Sequence, residues 1–102
     1  MSIVIYENKT FKLSGKLTIY KVSELKNKLL EAYNGESAKE SVFFLDLSAV
    51  ESVDAAVLQL IFSLKLTIQK GKGELKVKKS CPTFDSLFEV FGMPADTFPH
   101  AV

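Results

Sequence analysis

The order of apolar and polar positions along the chain predicts a series of alternating strands and helices. Residues 3–6 are β-branched or aromatic, which favours a first strand. Residues 11–14 alternate between apolar and polar side chains up to Gly15, which predicts a second strand with one solvated face, followed by a bend. Apolar residues recur at helical spacing over residues 22–33, so this segment is predicted to form an amphipathic helix. We expect it to end at Gly35, with the glycine in the left-handed conformation that often stops a helix.

The second half of the chain continues this pattern with more apolar elements. An uninterrupted apolar run at residues 42–45 predicts a central strand, and residues 48–53 are expected to form a loop before the next helix. Asp54 is expected to open a second helix over residues 55–70, because an aspartate accepts the free backbone N–H groups of the first helical turn. Residues 74–79 alternate strictly, which predicts a last strand with one solvated face. Pro82 suits the first turn of a third helix.

The third helix should bury an apolar stripe, after which the chain is expected to end in a loose tail at residues 95–102. The apolar stripe consists of Phe84, Leu87, Phe88 and Phe91. Gly92 and Pro94 are expected to stop the helix. The predicted order is therefore β-β-α-β-α-β-α. It indicates one α/β domain over residues 1–102, with a four- to five-stranded mixed sheet and helices packed on it.

Composition narrows the possible functions. The chain has 102 residues, 13 Lys+Arg and 12 Asp+Glu, so its formal net charge is +1, and every basic residue is a lysine. The lack of arginine argues against a nucleic-acid partner, because bidentate recognition of guanine and phosphate depends mostly on arginine. Cys81 and His100 are the single cysteine and histidine, and neither has the spacing of a metal site or of a Cys–His nucleophile pair. We therefore expect no metal, no cofactor and no catalytic activity.

The apolar segments are too short or too polar to indicate a membrane protein. The longest apolar-rich run, residues 53–68, is shorter than a bilayer span and carries several polar side chains. The first residues lack the basic stretch and apolar segment of a signal peptide. We expect a cytoplasmic protein without membrane insertion.

The second helix and the lysines after it are candidates for binding. The helix is apolar nearly all round, with Leu58, Phe62 and Leu66 at steps of four, so we expect one side of it to face a partner. Six lysines cluster over residues 65–79, and the simpler interpretation is that they protect an edge strand from aggregation. The alternative is attraction to an anionic partner, a membrane surface or a nucleotide phosphate.

Residues 46–59 read Asp-Leu-Ser-Ala-Val-Glu-Ser-Val-Asp-Ala-Ala-Val-Leu-Gln, and this segment resembles the STAS family, the sulfate-transporter and anti-sigma-factor-antagonist domain. Leu-Ser-Gly at residues 13–15 and Phe-Glu-Val-Phe-Gly at residues 88–92 extend the resemblance over nearly the whole chain. The resemblance implies a non-catalytic bacterial interaction module. Such a module regulates or stabilises a larger partner: an anti-sigma factor or kinase, a chemotaxis-type signalling protein, or an ABC-type lipid transporter.

The resemblance also identifies a departure from the signalling members of the family. In those members the turn after the central strand reads Asp, Ser, Ser or Thr, Gly, and a partner kinase phosphorylates the second hydroxyl. The matching positions here are Asp54, Ala55, Ala56 and Val57, so Ala56 stands where the phosphoacceptor would be. We therefore expect no phosphorylation at the motif position. A displaced acceptor at Ser52 or Ser48 is the alternative, and would make the protein a phospho-regulated anti-anti-sigma factor.

A second branch of the family often has alanine at that position, followed by Gly-Leu-Gln, and the Leu58-Gln59 pair is similar to it. This branch comprises the small STAS subunit of lipid-transport ABC systems and chemotaxis-like STAS proteins, which act as docking modules. A homodimer and a nucleotide- or lipid-binding sensor remain alternatives. The residues expected to bind a partner are Ser48, Ser52, Asp54, Ala55, Ala56, Val57, Gln59 and Phe62.

Overall fold

Four strands and three α-helices follow one another in the predicted order in the computed structural model, which describes residues 3–90. A single 3₁₀ turn, Ile19–Lys21, precedes the first α-helix. The elements are β1 (Val4–Glu7), β2 (Thr10–Leu17), α1 (Val22–Asn34), β3 (Val42–Val53), α2 (Ala55–Lys70), β4 (Glu74–Lys79) and α3 (Pro82–Val90). The expectations for Phe91, Gly92, Pro94 and the tail at residues 95–102 lie outside the described residues, as does the side chain of Phe88.

The strands form one mixed sheet in the order β1-β2-β3-β4, which confirms the predicted fold class. β1 pairs antiparallel with β2, whereas β2 with β3 and β3 with β4 are parallel pairs connected through α1 and α2. In the β2–β3 pair, Leu17 lies opposite Val53 at the carboxyl end of both strands. The segments that leave these two strands therefore start side by side at one edge of the sheet.

The hydrophobic core lies between one face of the sheet and the three helices. Phe11, Leu45 and Val77 of three adjacent strands are fully buried there, in the same cluster as Leu29 of α1 and Ile61 of α2. Burying each such side chain stabilises the fold by about 1.5 to 3 kcal/mol relative to leaving it exposed. The helix α2 contacts β4 of the sheet and lies beside α1.

The third strand is longer than the apolar run at its start. The segment from Ser48 to Val53 was expected as a loop, and this is wrong: β3 continues to Val53 because its second half pairs with β2. The register shifts at several points in β2 and β3, so the regular alternation of apolar and polar residues is lost there. The Asp46 carboxylate accepts a hydrogen bond from the Ser48 backbone N–H at 2.9 Å, next to one of these irregularities.

The end of α1 differs from the expectation for Gly35. Its φ is −75° and its ψ is −12°, so the glycine is right-handed and not in the left-handed conformation. The ammonium group of Lys39 donates hydrogen bonds to the backbone carbonyls of Tyr33 and Glu36 at this end of the helix. A lysine therefore takes over part of the capping that the glycine was expected to provide.

The helices of residues 3–90 contain no segment with the length and apolarity needed to cross a membrane.

Candidate docking surface at the start of α2

The first turn of α2 is capped by Asp54, as the sequence predicts. The backbone of Asp54 is extended, with φ −98° and ψ 175°, and its Oδ1 atom accepts a hydrogen bond from the Val57 N–H at 3.2 Å. The bond satisfies one of the N–H groups that have no partner within the helix. The carboxylate also lies at the positive end of the helix dipole.

The other carboxylate oxygen of Asp54 makes a contact that the sequence did not indicate. The Oδ2 atom of Asp54 accepts a hydrogen bond from the Ile19 N–H at 2.6 Å. The backbone N–H of Asp54 donates to the Leu17 carbonyl at 3.1 Å. Asp54 therefore ties the end of β2, the Ile19–Lys21 turn and the start of α2 together. Both carboxylate oxygens therefore accept hydrogen bonds within the chain, and these bonds hold the neighbouring segments in place.

The small residues expected at this surface lie partly open to solvent. Ala55 and Ala56 are half-buried in the first turn of α2, and Gln59 is exposed one turn further on. Val57 was expected to contact a partner, but its side chain is fully buried in the core, because it lies on the side of α2 that packs on the sheet with Ile61. The available part of the first turns is therefore formed by the two alanines and Gln59.

The prediction that one apolar side of α2, with Leu58, Phe62 and Leu66 in line, faces a partner is wrong. Leu58 is fully buried, and Phe62 is half-buried and packed against the core, so Leu58, Phe62 and Leu66 do not form one exposed line. Leu66 is 44% exposed. The helix is apolar nearly all round because it packs on the sheet and also contacts α1 and α3. Phe62 additionally has the Lys65 ammonium 5.7 Å from its ring centroid.

The two serines proposed as displaced phosphoacceptors both lie in β3. Ser52 lies two residues before Asp54, is half-buried and pairs with Lys16 of β2. Ser48 is exposed, but six residues of strand place it about 15 to 20 Å from Asp54, so it does not belong to the same surface.

The residue beside Ser48 has a perturbed pKa. Burial raises the pKa of Asp46, but the hydrogen bonds from Ser48 and the positive charges of Lys79 and Lys12 outweigh this effect, so the pKa lies below its usual value. Asp46 is consequently ionised and held in place. A phosphate on Ser48 would face this negative charge directly.

Two large apolar residues at this surface were not predicted. Ile19 is 61% exposed and Tyr20 is 94% exposed, and both belong to the turn that Asp54 holds. The sequence pattern predicts a strand up to Gly15 and a helix from residue 22, and it places Ile19 and Tyr20 in neither element. The signal that would have found the pair is topological, because parallel pairing brings the end of β2 next to the start of α2.

Cys81 and His100 are the residues that the sequence offers for metal or thiol chemistry. Residues 3–90 contain no group of three or more His, Cys, Asp or Glu side chains that could hold a metal ion. Cys81 is a buried free thiol, while His100 lies outside the described residues.

β4 is an edge strand, and its Lys78 and Lys79 are exposed there, which fits the simpler interpretation of the lysine cluster.

The fold and the surface define a class of protein: a small α/β domain with a mixed four-stranded sheet. Its second helix starts with a polar cap and small residues. The family model described as "Mlab, STAS domain" matches residues 7–95. The chain belongs to the STAS domain family. No protein of the curated collection matches the sequence.

Solved structures with the same fold are distant in sequence. A protein assigned as an anti-sigma factor antagonist from Thermotoga maritima has a TM-score of 0.74 and 16% identity, and the match covers 97% of this chain and 85% of that one. An anti-sigma factor antagonist from Mycobacterium paratuberculosis has a TM-score of 0.75 and 19% identity, with 98% of this chain and 83% of that chain covered. A second structure of the Thermotoga protein, determined by NMR, has a TM-score of 0.68 and 18% identity, and the match covers 91% of this chain and 74% of that one. At these identities the likeness establishes the fold.

Proposed function

We propose that this chain is a non-catalytic docking module that binds a larger regulatory or transport protein through the start of α2, without a phosphorylation switch at Ala56. A STAS fold is typical of regulatory protein-interaction modules. The observation that carries the proposal is the methyl group of Ala56, half-buried in the first turn of α2 where signalling members have a hydroxyl. The phosphorylation switch adds about 1.5 to 2 negative charges at that helix start, and a methyl group cannot accept them.

The shape of the surface supports docking of a protein. Ala55 and Ala56 are small, and Gln59 beside them is exposed and able to donate and accept hydrogen bonds. Small side chains at the start of α2 let the backbone of a partner approach the helix closely. The partner belongs to one of three classes: an anti-sigma factor or kinase, a chemotaxis-type signalling protein, or an ABC-type lipid transporter.

The proposal is tested by identifying and then measuring the partner. Replacing Gln59, which is exposed one turn after Ala55, by a photo-reactive phenylalanine derivative in the host cell should yield one discrete cross-linked protein. That protein is then purified and its Kd for the chain is measured. Ala56→Glu and Ala56→Arg should both abolish binding, since each fills the approach to α2 and the two carry opposite charges. Far-UV circular dichroism and Tm should stay close to those of the unmodified chain.

Gln69→Arg provides the matched control. Gln69 is exposed on the same helix, 13 residues and about 20 Å further along its axis, so this change should leave the Kd unaltered. Undiminished binding by both Ala56 variants would overturn the proposed surface.

The absence of a phosphorylation switch requires a separate test. The unmodified chain and Ala56→Ser are incubated with ATP and with the kinase that phosphorylates the anti-sigma factor antagonist of the same organism. Intact mass should show one added phosphate on Ala56→Ser only. A phosphate on the unmodified chain would favour the alternative acceptors, and Ser52→Ala and Ser48→Ala would distinguish between them.

A further inference from the structure

We infer that two copies of this chain associate through α1, around a twofold axis level with residue 26, so that the groove between β1 and α1 of each copy receives the Tyr20 ring of the other. The association uses the side of α1 that lies away from α2, and it goes beyond the proposed function. The occupant of the groove is therefore a second copy of the chain.

The groove lies along the edge of the sheet, between the edge strand β1 and α1. Its volume is about 410 Å³, which falls within the range of pockets that bind ligands, about 300 to 1,000 Å³. α2 packs on the other side of α1, at Lys26, Leu29 and Leu30. The groove is lined by Val4 and Tyr6 of β1, and by Lys28, Glu31, Ala32, Gly35 and Glu36 in and after α1.

The charges along this side of α1 select the occupant. They alternate in sign at steps of three, four and three residues, at Lys21, Glu24, Lys28 and Glu31. Residues at such steps are neighbours on one side of a helix. Lys21 and Glu31 lie five residues on either side of position 26, and Glu24 and Lys28 lie two residues on either side of it. Two antiparallel α1 helices centred at this position therefore bring each lysine opposite a glutamate.

These four side chains are available for contacts between copies. Charges at steps of three and four can also pair within one helix. Within residues 3–90, however, none of the four makes an ion pair. Glu24 and Glu31 are exposed, while Lys21 and Lys28 are half-buried. A second copy provides each of them with an opposite charge.

The other charges at the two ends of this surface do not oppose the arrangement. Beside the groove, two lysines and one glutamate give 2 − 1 = +1, and they are Lys9, Lys39 and Glu36. Beside the Tyr20 turn, one lysine and two acids give 1 − 2 = −1, and they are Lys16, Glu51 and Asp54. The twofold axis places these two ends next to each other. Glu7 of β1 is paired with Lys12 at 3.0 Å.

The same axis brings Tyr20 of one copy to the groove of the other. Tyr20 lies six residues before position 26 and Ala32 lies six residues after it, each about 9 Å along the helix direction. Tyr20 is 94% exposed, and its turn is held by the hydrogen bond between the Ile19 N–H and the Asp54 carboxylate. Its ring contributes the apolar part of the contact, against Val4 and Ala32. The contact is isologous, so it is made twice and closes at two copies.

Sedimentation equilibrium of the purified chain tests the association. The unmodified chain should form a dimer, with twice the chain mass of 11.3 kDa. Lys28→Glu replaces two attractive contacts with two repulsive ones, so it should weaken the dimer by about 30-fold. Glu24→Lys should have the same effect. A chain that stays monomeric at millimolar concentration, or a dimer that Lys28→Glu leaves unchanged, overturns the inference.

Mixing these two variants tests the pairing itself. In an equimolar mixture of Lys28→Glu and Glu24→Lys, one copy has acids at both positions and the other has lysines at both, so opposite charges face each other again. The mixture should form dimers although each variant alone is mostly monomeric. Pairing within one helix cannot give this result, and a mixture that stays monomeric refutes the proposed register. Lys26→Glu is the matched control, because Lys26 is exposed on the α2 side of the same helix, and it should change the dimer Kd less than twofold.

Insertion of the ring can be observed by fluorescence. The chain contains no tryptophan, so Tyr20→Trp introduces a single reporter. Its emission should move to longer wavelength when the dimer is diluted to monomers, and an emission that does not change would contradict insertion into the groove. Leu66→Trp is the control, because Leu66 is 44% exposed on α2 and its emission should not respond to dilution. These measurements use the chain alone, so their outcome does not depend on the protein that binds the start of α2.

Discussion

Asp54 joins two elements of the fold with two different oxygens, and substitutions should separate the two contributions. Its Oδ1 atom caps α2 through Val57, and its Oδ2 atom holds the Ile19 N–H. Alanine removes both acceptors. Asparagine is as good an N-cap as aspartate but has one carbonyl oxygen, and its Nδ2 group cannot accept a hydrogen bond. We predict that Asp54→Asn destabilises the fold about half as much as Asp54→Ala.

The expected size follows from the two bonds. Loss of an N-cap typically costs about 1 kcal/mol. A hydrogen bond to a charged group contributes about 1.5 to 3 kcal/mol, but the Ile19 bond is solvent-exposed and water can replace part of it, so we discount it to about 1 kcal/mol. Asp54→Ala should therefore lower the free energy of unfolding by about 2 kcal/mol, and Asp54→Asn by about 1 kcal/mol. For a domain of this size the larger loss corresponds to a drop in Tm of about 10 °C.

Urea unfolding followed by far-UV circular dichroism measures both losses, with unchanged m-values showing that the unfolded state is not affected. Asp85→Asn is the control, because Asp85 is an acid near the start of another helix, is exposed, and accepts one side-chain hydrogen bond, from Ser80 at 2.7 Å. It should cost less than about 0.5 kcal/mol. If Asp54→Asn were as stable as the unmodified chain, the Ile19 bond would contribute nothing. If it were as unstable as Asp54→Ala, the cap would not be separable from the turn.

Two glycines should respond to alanine with opposite signs in thermal unfolding. At Gly73 a Cβ would lie 2.5 Å from the Lys39 carbonyl oxygen, so Gly73→Ala should lower the free energy of unfolding by about 1 to 3 kcal/mol. Gly35 has a right-handed conformation and a Cβ there would meet no atom nearer than 3.4 Å, so Gly35→Ala should raise the free energy of unfolding by up to about 1 kcal/mol. Changes of the same sign in both variants would refute this prediction. The lowered pKa of Asp46 means that stability is lost as pH falls below the unfolded-state value of about 3.9. Asp46→Asn keeps an oxygen for the Ser48 N–H but cannot titrate, so its Tm should depend less on pH between about 5 and 3; an identical dependence would exclude Asp46 as a source.

The elements that could be predicted from the sequence are those whose cause is local. The helix that begins at Val22 follows from apolar spacing, and the start of α2 follows from the capping preference of aspartate at position 54. The second half of β3 could not be predicted, because it is a strand only through its pairing with β2 and its register shifts erase the alternation. Gly35 shows the same limit: the ammonium group of Lys39 bonds the Tyr33 carbonyl, and the position of this lysine depends on how the loop after α1 folds.

The docking surface combines both kinds of information. Its half on α2 could be located from the motif around Ala56, because a family pattern is a local sequence signal. The exposed Ile19–Tyr20 turn, which Asp54 ties to the start of α2, lies 36 residues earlier when counted from Tyr20 to Ala56. The parallel pairing of β2 with β3, which puts Leu17 opposite Val53, brings this turn and the start of α2 together. A buried strand end therefore sets the position of an exposed contact. Changes at Leu17 or Val53 that shift the register should alter partner binding even though neither side chain reaches the surface.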